Sequence, residues 1–387
     1  MNDRERVRAI LNYEKYDRMP VLHFGFWPDT LEKWYRQGHL TLEESDKDWG
    51  DSTPIDKSIG DKLGFDFNWF HTFNPDTNIK PPFKKKVLCT RPDGTREVMN
   101  CSGNIELEKD GAGSIPAEID HLLKNRKSWE EHFLLKLQFT EDRVYKSSVS
   151  TGREMIPFLD GGLEYLKNEQ RNENVGLFCG SLFGNIRNWL GVEGLCYLYV
   201  DDEKLFDEII DTVSELSFKC VETVLSTGAK FDFGHFWEDI CFKNGPLVNP
   251  AIFEKKVGPH YKRITTLLHK YGIDIVSLDC DGLIDALIPT WLNNGVNTMF
   301  PIEVGTWAAS IQPWRAKYGR QLRGVGGMNK VVFAHDYKAI DAEVERLVPL
   351  MELGGYIPCP DHRIPPDAKW ENVQYYCEKM RQIHLYC

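Results

Sequence analysis

The chain has 387 residues, 42% of them apolar and 12% aromatic, enough for a large buried core and too much for a disordered chain. Its formal charge of −11 excludes a general binder of nucleic acid or of an anionic membrane surface. No run approaches the roughly 20 apolar residues needed to span a bilayer, and the charged N-terminus has no apolar signal core, so a cytoplasmic location is expected.

Eight segments in chain order read as core strands: MPVLHFGF (19–26), GFDFNWF (64–70), VGLFCG (175–180), KFDFGHF (230–236), IDIVSLD (273–279), NTMFP (297–301), QLRGVG (321–326) and GYIPC (355–359). Between the second and third, KKVLCTRPDGTREVMNC (85–101) predicts a hairpin about a Pro-Asp-Gly turn, followed by a polar helix over roughly 117–137. Residues 71–150 are therefore expected to be an insertion that covers a binding mouth or meets a partner, with its likeliest loop at 74–86.

From residue 202 onward helices alternate with strands. Leu205, Phe206, Ile209, Ile210, Val213, Leu216, Cys220, Val221 and Val224 form one apolar stripe of helical period between an aspartate cap and Gly228. Further helices are expected at 251–271, opened by Pro250, at 283–294 and at 338–353. This order predicts parallel βα units and a single (β/α)8 TIM barrel over 1–387. The ten cysteines are scattered without a CxxC pair, so they read as reduced, most of them as small buried side chains, rather than as a disulfide framework.

In a parallel barrel the strand C-termini converge on one mouth, so ionisable groups at those ends meet there. His235 and Glu238 end the fourth strand. A histidine and a carboxylate three residues apart can share a metal or act as an acid–base pair; the competing role is a structural histidine beside a capping acid. Asp279, Cys280 and Asp281 end the fifth strand. Side chains alternate along a strand, so only one of the two aspartates faces inward if it stays regular. Close carboxylates raise one another's pKa and can supply a general acid. Glu303 and the pair Asp361-His362 end the sixth and eighth strands, with Arg315 or Arg323 as alternative partners for Glu303.

A different metal set, His235, Glu238, Cys280 and His362, is open on residue type, with zinc as the candidate ion. GVGGMNK (324–330) is glycine-rich, but Asn329 stands where a dinucleotide fingerprint needs its third glycine, and a tight turn is the simpler reading. GSLFGNIRNW (180–189) sets Asn185 and Arg187 near the mouth. The run FDFNWFHTF (65–73), with Trp27, Trp189 and Trp237, suits either a core or a pocket for a flat, apolar substrate.

At these residues the chain resembles the uroporphyrinogen decarboxylase superfamily. The resemblance rests on FWEDICFKNGPLVNPAIFEKKVGPHYKRI (236–264), Asp-x-Asp-Gly (279–282), Gly-Gly-x-x-Lys (326–330) and GGYIPCPDHRIPPD (354–367), with shorter matches at NWLGVEG (188–194) and DRMPV (17–21). It covers most of 170–385, is thin from 28 to 170, and implies a (β/α)8 barrel. The arginine-rich motif by which true uroporphyrinogen decarboxylases grip substrate carboxylates is missing, since its place reads HFGFWPDTLEKWYRQGH (23–39). The family's Phe-Ser-Asp-Ile has no counterpart, its tyrosine falls near Leu190 and its strand-end serine near Phe236. His362 keeps the late histidine.

The superfamily also holds corrinoid-dependent methyltransferases. One branch uses zinc on His-x-Cys and a distant Cys; here Leu278 precedes Cys280 by two and His362 stands near the distant position, so that triad is incomplete. The branch that demethylates methoxylated aromatics onto a separate corrinoid protein is the better match. The resemblance thus implies a methyltransferase passing a methyl group from a small donor to the Co(I) cobalamin of a partner, with His235, Glu238, Asp279 and His362 as catalytic candidates. The alternative is a decarboxylase of a porphyrinogen-like or smaller acid. A homodimer, common in the superfamily, is left open.

Overall fold

The computed structural model describes residues 1–46, 49–109 and 117–383. Each of the eight segments holds a parallel strand. Seven short strands form one sheet in the order Tyr356–Pro360, Arg323–Met328, Thr298–Phe300, Val276–Asp279, Phe233–Trp237, Gly176–Phe178 and Thr72–Phe73. Leu22–His23 and Phe67–Asn68 form a separate parallel pair in register Leu22↔Phe67. The chain passes from this pair into the large sheet through Trp69, Phe70 and His71, so the second expected strand is split in two. On the opposite side a parallel bridge joins Phe26 to Ile364.

Alternation along Phe233–Trp237 sorts its side chains. Phe233 stacks on Trp69 at 4.6 Å inside the sheet's concave side, and Trp69 Nε1 donates to Ser277 Oγ at 3.1 Å. Phe236 turns the other way, against Tyr261 of the helix Gly258–Lys270. His235 therefore shares the inner side with Phe233, and Asp279 shares it with Ser277, two residues along the neighbouring strand.

The amphipathic helix is found at Glu203–Ser226, with Asp202 accepting from Leu205 N–H at 3.0 Å and its predicted apolar stripe buried. The helix expected at 251–271 is two helices, Pro250–Lys256 and Gly258–Lys270. Pro259 has no N–H to give the preceding turn and sits in the first turn of the second helix. Only Ile288–Asn293 is helical in the next one, again with a proline in its first turn, which leaves 280–287 as a loop at the strand ends.

In the insertion Lys86–Thr90 pairs antiparallel with Arg96–Met99, within a four-stranded sheet completed by Asn104–Glu108 and Ala117–His121. The start of the expected polar helix is thus a strand, because AEIDH pairs with Asn104–Glu108, and helical turns begin only at Arg126. These turns dock on the helices Gly184–Asp201 and Glu203–Ser226. Trp129 Nε1 and Arg126 Nη1 donate to Glu208 at 3.0 and 2.8 Å, and Phe133 packs 5.6 Å from Trp189. Trp189 is therefore core, not pocket wall. Among the described residues no helix is long and apolar enough to cross a membrane.

Candidate active site

His235 lies at the centre of the sheet's inner side with 0% exposure. The rings of Phe70, Phe300, Phe233 and Phe178 surround it at centroid distances of 5.4 to 6.4 Å. Among the described residues neither ring nitrogen has a hydrogen-bond partner, and burial pushes its pKa down to about 3. A neutral imidazole in an apolar nest is costly to keep without a use, because a buried polar group lacking a partner loses its hydration for nothing.

Glu238 has a different fate. Its carboxyl is wholly buried, which raises its pKa, and it accepts from Leu182, Phe183 and Gly184 N–H at 2.9, 2.9 and 2.6 Å, from Ser181 Oγ, and from the Tyr261 hydroxyl, donors that pull the pKa back down. It anchors the N-terminus of the helix Gly184–Asp201, where an anion meets unpaired N–H groups and the positive end of the dipole. The approach is close enough that a Cβ on Gly184 would stand 1.9 Å from the Glu238 carbonyl oxygen. Asp361 is taken up similarly: Val304, Gly305 and Lys330 N–H and the Lys330 ammonium all donate to it. The glycine-rich turn therefore offers its lysine to a protein carboxylate, and Gly324–Met328 is strand rather than an anion loop.

The strand ends above His235 gather a group of acids. Asp279 is 6% exposed and no donor among the described residues meets its carboxyl. Burial first, then Asp281 and Asp239, push its pKa well above the ordinary carboxylate value. Asp281 reaches the same place from the loop, where its Oδ2 lies 3.4 Å from His362 Nε2 and its Oδ1 has no partner. Both aspartates reach the mouth because the strand stops at Asp279. Glu303 accepts from Gly282 N–H and Thr306 Oγ1, and burial followed by Asp281 raises its pKa. Asp239, held at φ +45°, is raised by burial and by Asp281.

His362 completes the wall. It stacks on Trp27 at 5.5 Å and 15° and meets the edge of Phe24 at 5.4 Å, while Phe24 packs on Phe300 and Phe70. Beside it Arg363 grips Asp51 through both terminal nitrogens, at 2.9 and 2.5 Å. The pair lies over Gly25, where a Cβ would be 2.2 Å from Arg363 Nη1. Arg187 Nη2 binds the Asp239 carbonyl at 2.6 Å and its carboxylate at 3.2 Å.

The four residues His235, Glu238, Cys280 and His362 are not assembled as a metal site. Glu238 already accepts from five groups, and Cys280 Sγ lies on the far side of its strand, accepting from Ile240 N–H at 3.4 Å, with its thiol pKa raised by burial. Among the described residues no group of three or more His, Cys, Asp or Glu is placed to hold a metal ion. Cys359 is likewise buried, its pKa raised by burial. Asp239, Arg363 and Phe24 were not singled out by sequence. The only local sign was the acid beside Glu238, because Arg363 and Phe24 acquire their roles from the bridge between Phe26 and Ile364. A cavity of about 640 Å³ is lined by other residues, among them Asp56, Asn68, His71 and Asn174.

Comparison with known proteins agrees with this fold. The family model for uroporphyrinogen decarboxylase (URO-D) matches residues 151–383. A methyltransferase from Methanosarcina mazei superposes with a TM-score of 0.59 at 14% identity, covering 98% of each chain. A protein described as a vitamin-B12 independent methionine synthase from Listeria monocytogenes overlaps at 0.40, with 12% identity over 94% of this chain and 96% of that one. No curated protein sequence matches the chain.

Proposed function

We propose, for a chain that belongs to the uroporphyrinogen decarboxylase family, a corrinoid-dependent methyltransferase that takes a methyl group from a small methylated donor, a methoxylated aromatic, and passes it to a partner corrinoid protein. We read the two parallel sheets as one closed (β/α)8 barrel, supported by the chain's passage through Trp69–His71 and by the Phe26–Ile364 bridge. Free buried thiols such as Cys179, Cys280 and Cys359 fit a cytoplasmic enzyme.

Asp279 is the observation that carries the reading. An ether oxygen leaves poorly as an anion, so the enzyme has to protonate it as the carbon–oxygen bond breaks. A buried carboxyl whose pKa is raised by burial and by neighbouring acids keeps its proton to higher pH than a free one, as other sites achieve by placing an acid in an apolar setting. When bound, a Co(I) corrinoid supplies the nucleophile that accepts the methyl group. The chain's own part is to hold the ring between Trp27, Phe24 and Phe70 with the methyl outward, and to give the leaving oxygen the Asp279 proton. The electron pair of the broken bond stays on oxygen, and the His362–Asp281 pair returns a proton to Asp279 from solvent. Zinc activation is not part of the proposal, since the candidate ligands do not converge.

The test is anaerobic incubation with reduced cobalamin, or with a corrinoid protein, and a panel of methoxyarenes. Enzyme-dependent loss of the Co(I) absorbance that is markedly slowed in Asp279→Asn is the expected result. Carbon dioxide release from a small carboxylic acid without Co(I) loss would replace the reading with a decarboxylase.

A further inference from the structure

The charges at the mouth are unbalanced in one direction. Asp239, Asp279, Asp281 and Glu303 face the same space, and among the described residues the basic side chains nearby are already engaged. Arg187 is bound to Asp239, Arg363 to Asp51 through both terminal nitrogens, Lys330 to Asp361, and His362 to Asp281. An acid group on a ligand entering here meets carboxyls and finds no unengaged cation among the described residues. Two further observations point to a ligand independently of the acids. His235, fully buried beneath them, has both nitrogens without a partner, and the wall above it is aromatic on the Trp27, Phe24 and Phe70 side.

We propose that the mouth selects its ligand by charge, accepting a methoxylated ring that carries no acid group, neutral or cationic, and rejecting its carboxylated analogue. Calling that ligand the methyl donor rests on the reading above; the charge preference itself does not. Aromatic faces attract neutral and cationic rings, and like charges brought together across a desolvated contact are strongly disfavoured. This excludes the polycarboxylate substrates of the family's eponymous enzyme and also aromatic acids of the methoxybenzoate type.

The experiment is titration calorimetry of the full chain with 4-methoxybenzyl alcohol and 4-methoxybenzoate at low ionic strength. The alcohol should bind at least roughly tenfold more tightly than the benzoate, and Trp27→Ala should weaken it. In Asp239→Asn and Asp281→Asn the gap should narrow as benzoate binding improves. Equal or tighter binding of the benzoate, a gap unchanged in both variants, or no binding of either compound would overturn charge selection. If the alcohol binds as expected but transfers no methyl group to reduced cobalamin, the methyl-transfer reading fails and charge selection stands.

Discussion

His362 Nε2 lies 3.4 Å from Asp281 Oδ2, although the two residues come from strands that are not neighbours in the sheet. The contact spans the mouth, and Trp27 stacked on the imidazole fixes the ring plane. A histidine so held, partly open to water, can carry protons between solvent and the buried Asp279. His362→Ala should lower turnover by about 10²–10⁴, the usual worth of a positioned acid–base group, while leaving the melting temperature nearly unchanged. Steady-state kinetics beside a thermal melt checks both halves.

Asp279 should set the alkaline limit of the reaction. Its folded pKa is raised by burial and then by Asp281 and Asp239, so the proton-donating form persists above the ordinary carboxylate range and is lost as pH rises through the raised value. The pH–rate profile should fall on its alkaline side, and Asp279→Asn should be slower and lack that limb. A variant that retains the limb would assign it to another group.

Glu238 should matter for folding rather than for chemistry. Replacing its carboxylate by an amide in Glu238→Gln sets an NH2 against N–H and O–H donors at the helix N-terminus. A loss of about 2–4 kcal/mol in urea denaturation is expected. Activity per folded molecule should stay within a fewfold of the parent.

His235 should show the reverse. His235→Phe fills an aromatic nest without an orphaned polar group, so stability should rise by about 1–2 kcal/mol at neutral pH while turnover falls. Its folded pKa of about 3 lies below the unfolded value near 6.5, so the unfolded chain binds the proton first as pH drops. The parent should therefore lose stability relative to the variant between pH 6.5 and about 3, as read from melts across that range.

Asp56, joined through Asn68 to Asp51, carries the opposite sign. Burial and then Asp51 push it up to about 7 from 3.8. The native state holds the proton longer than the unfolded one, so the stability it contributes at acid pH is lost as pH rises from about 4 through 7. Its Oδ2 accepts from Ser52 N–H and Asn68, while Oδ1 has no partner. Asp56→Asn keeps an acceptor for those donors, and stability measured from pH 4 to 8 should be flatter in the variant.

Much of this was legible in the residues. The helix Glu203–Ser226 follows from a stripe of apolar side chains at helical period, and each of the eight strand segments contains a strand. The failures have local causes. Residues 117–121 are as polar as a surface helix, and only pairing with Asn104–Glu108 makes them a strand. The break at Val257 was visible as Pro259 but was outweighed by the amphipathic pattern on either side.

The sequence by itself determined which polar groups end the inner strands, because alternation and strand length place His235 and Asp279 on one side whatever their neighbours do. It also determined the family, through motifs concentrated in the C-terminal two thirds. Only the tertiary structure decided what each group is free to do. Glu238 and Asp361 look as functional as Asp279 in one dimension, yet each meets several donors brought from distant segments, while Asp279 meets none. Hydrogen-bond satisfaction depends on residues tens or hundreds of positions away, and so it is fixed only when the chain has closed on itself.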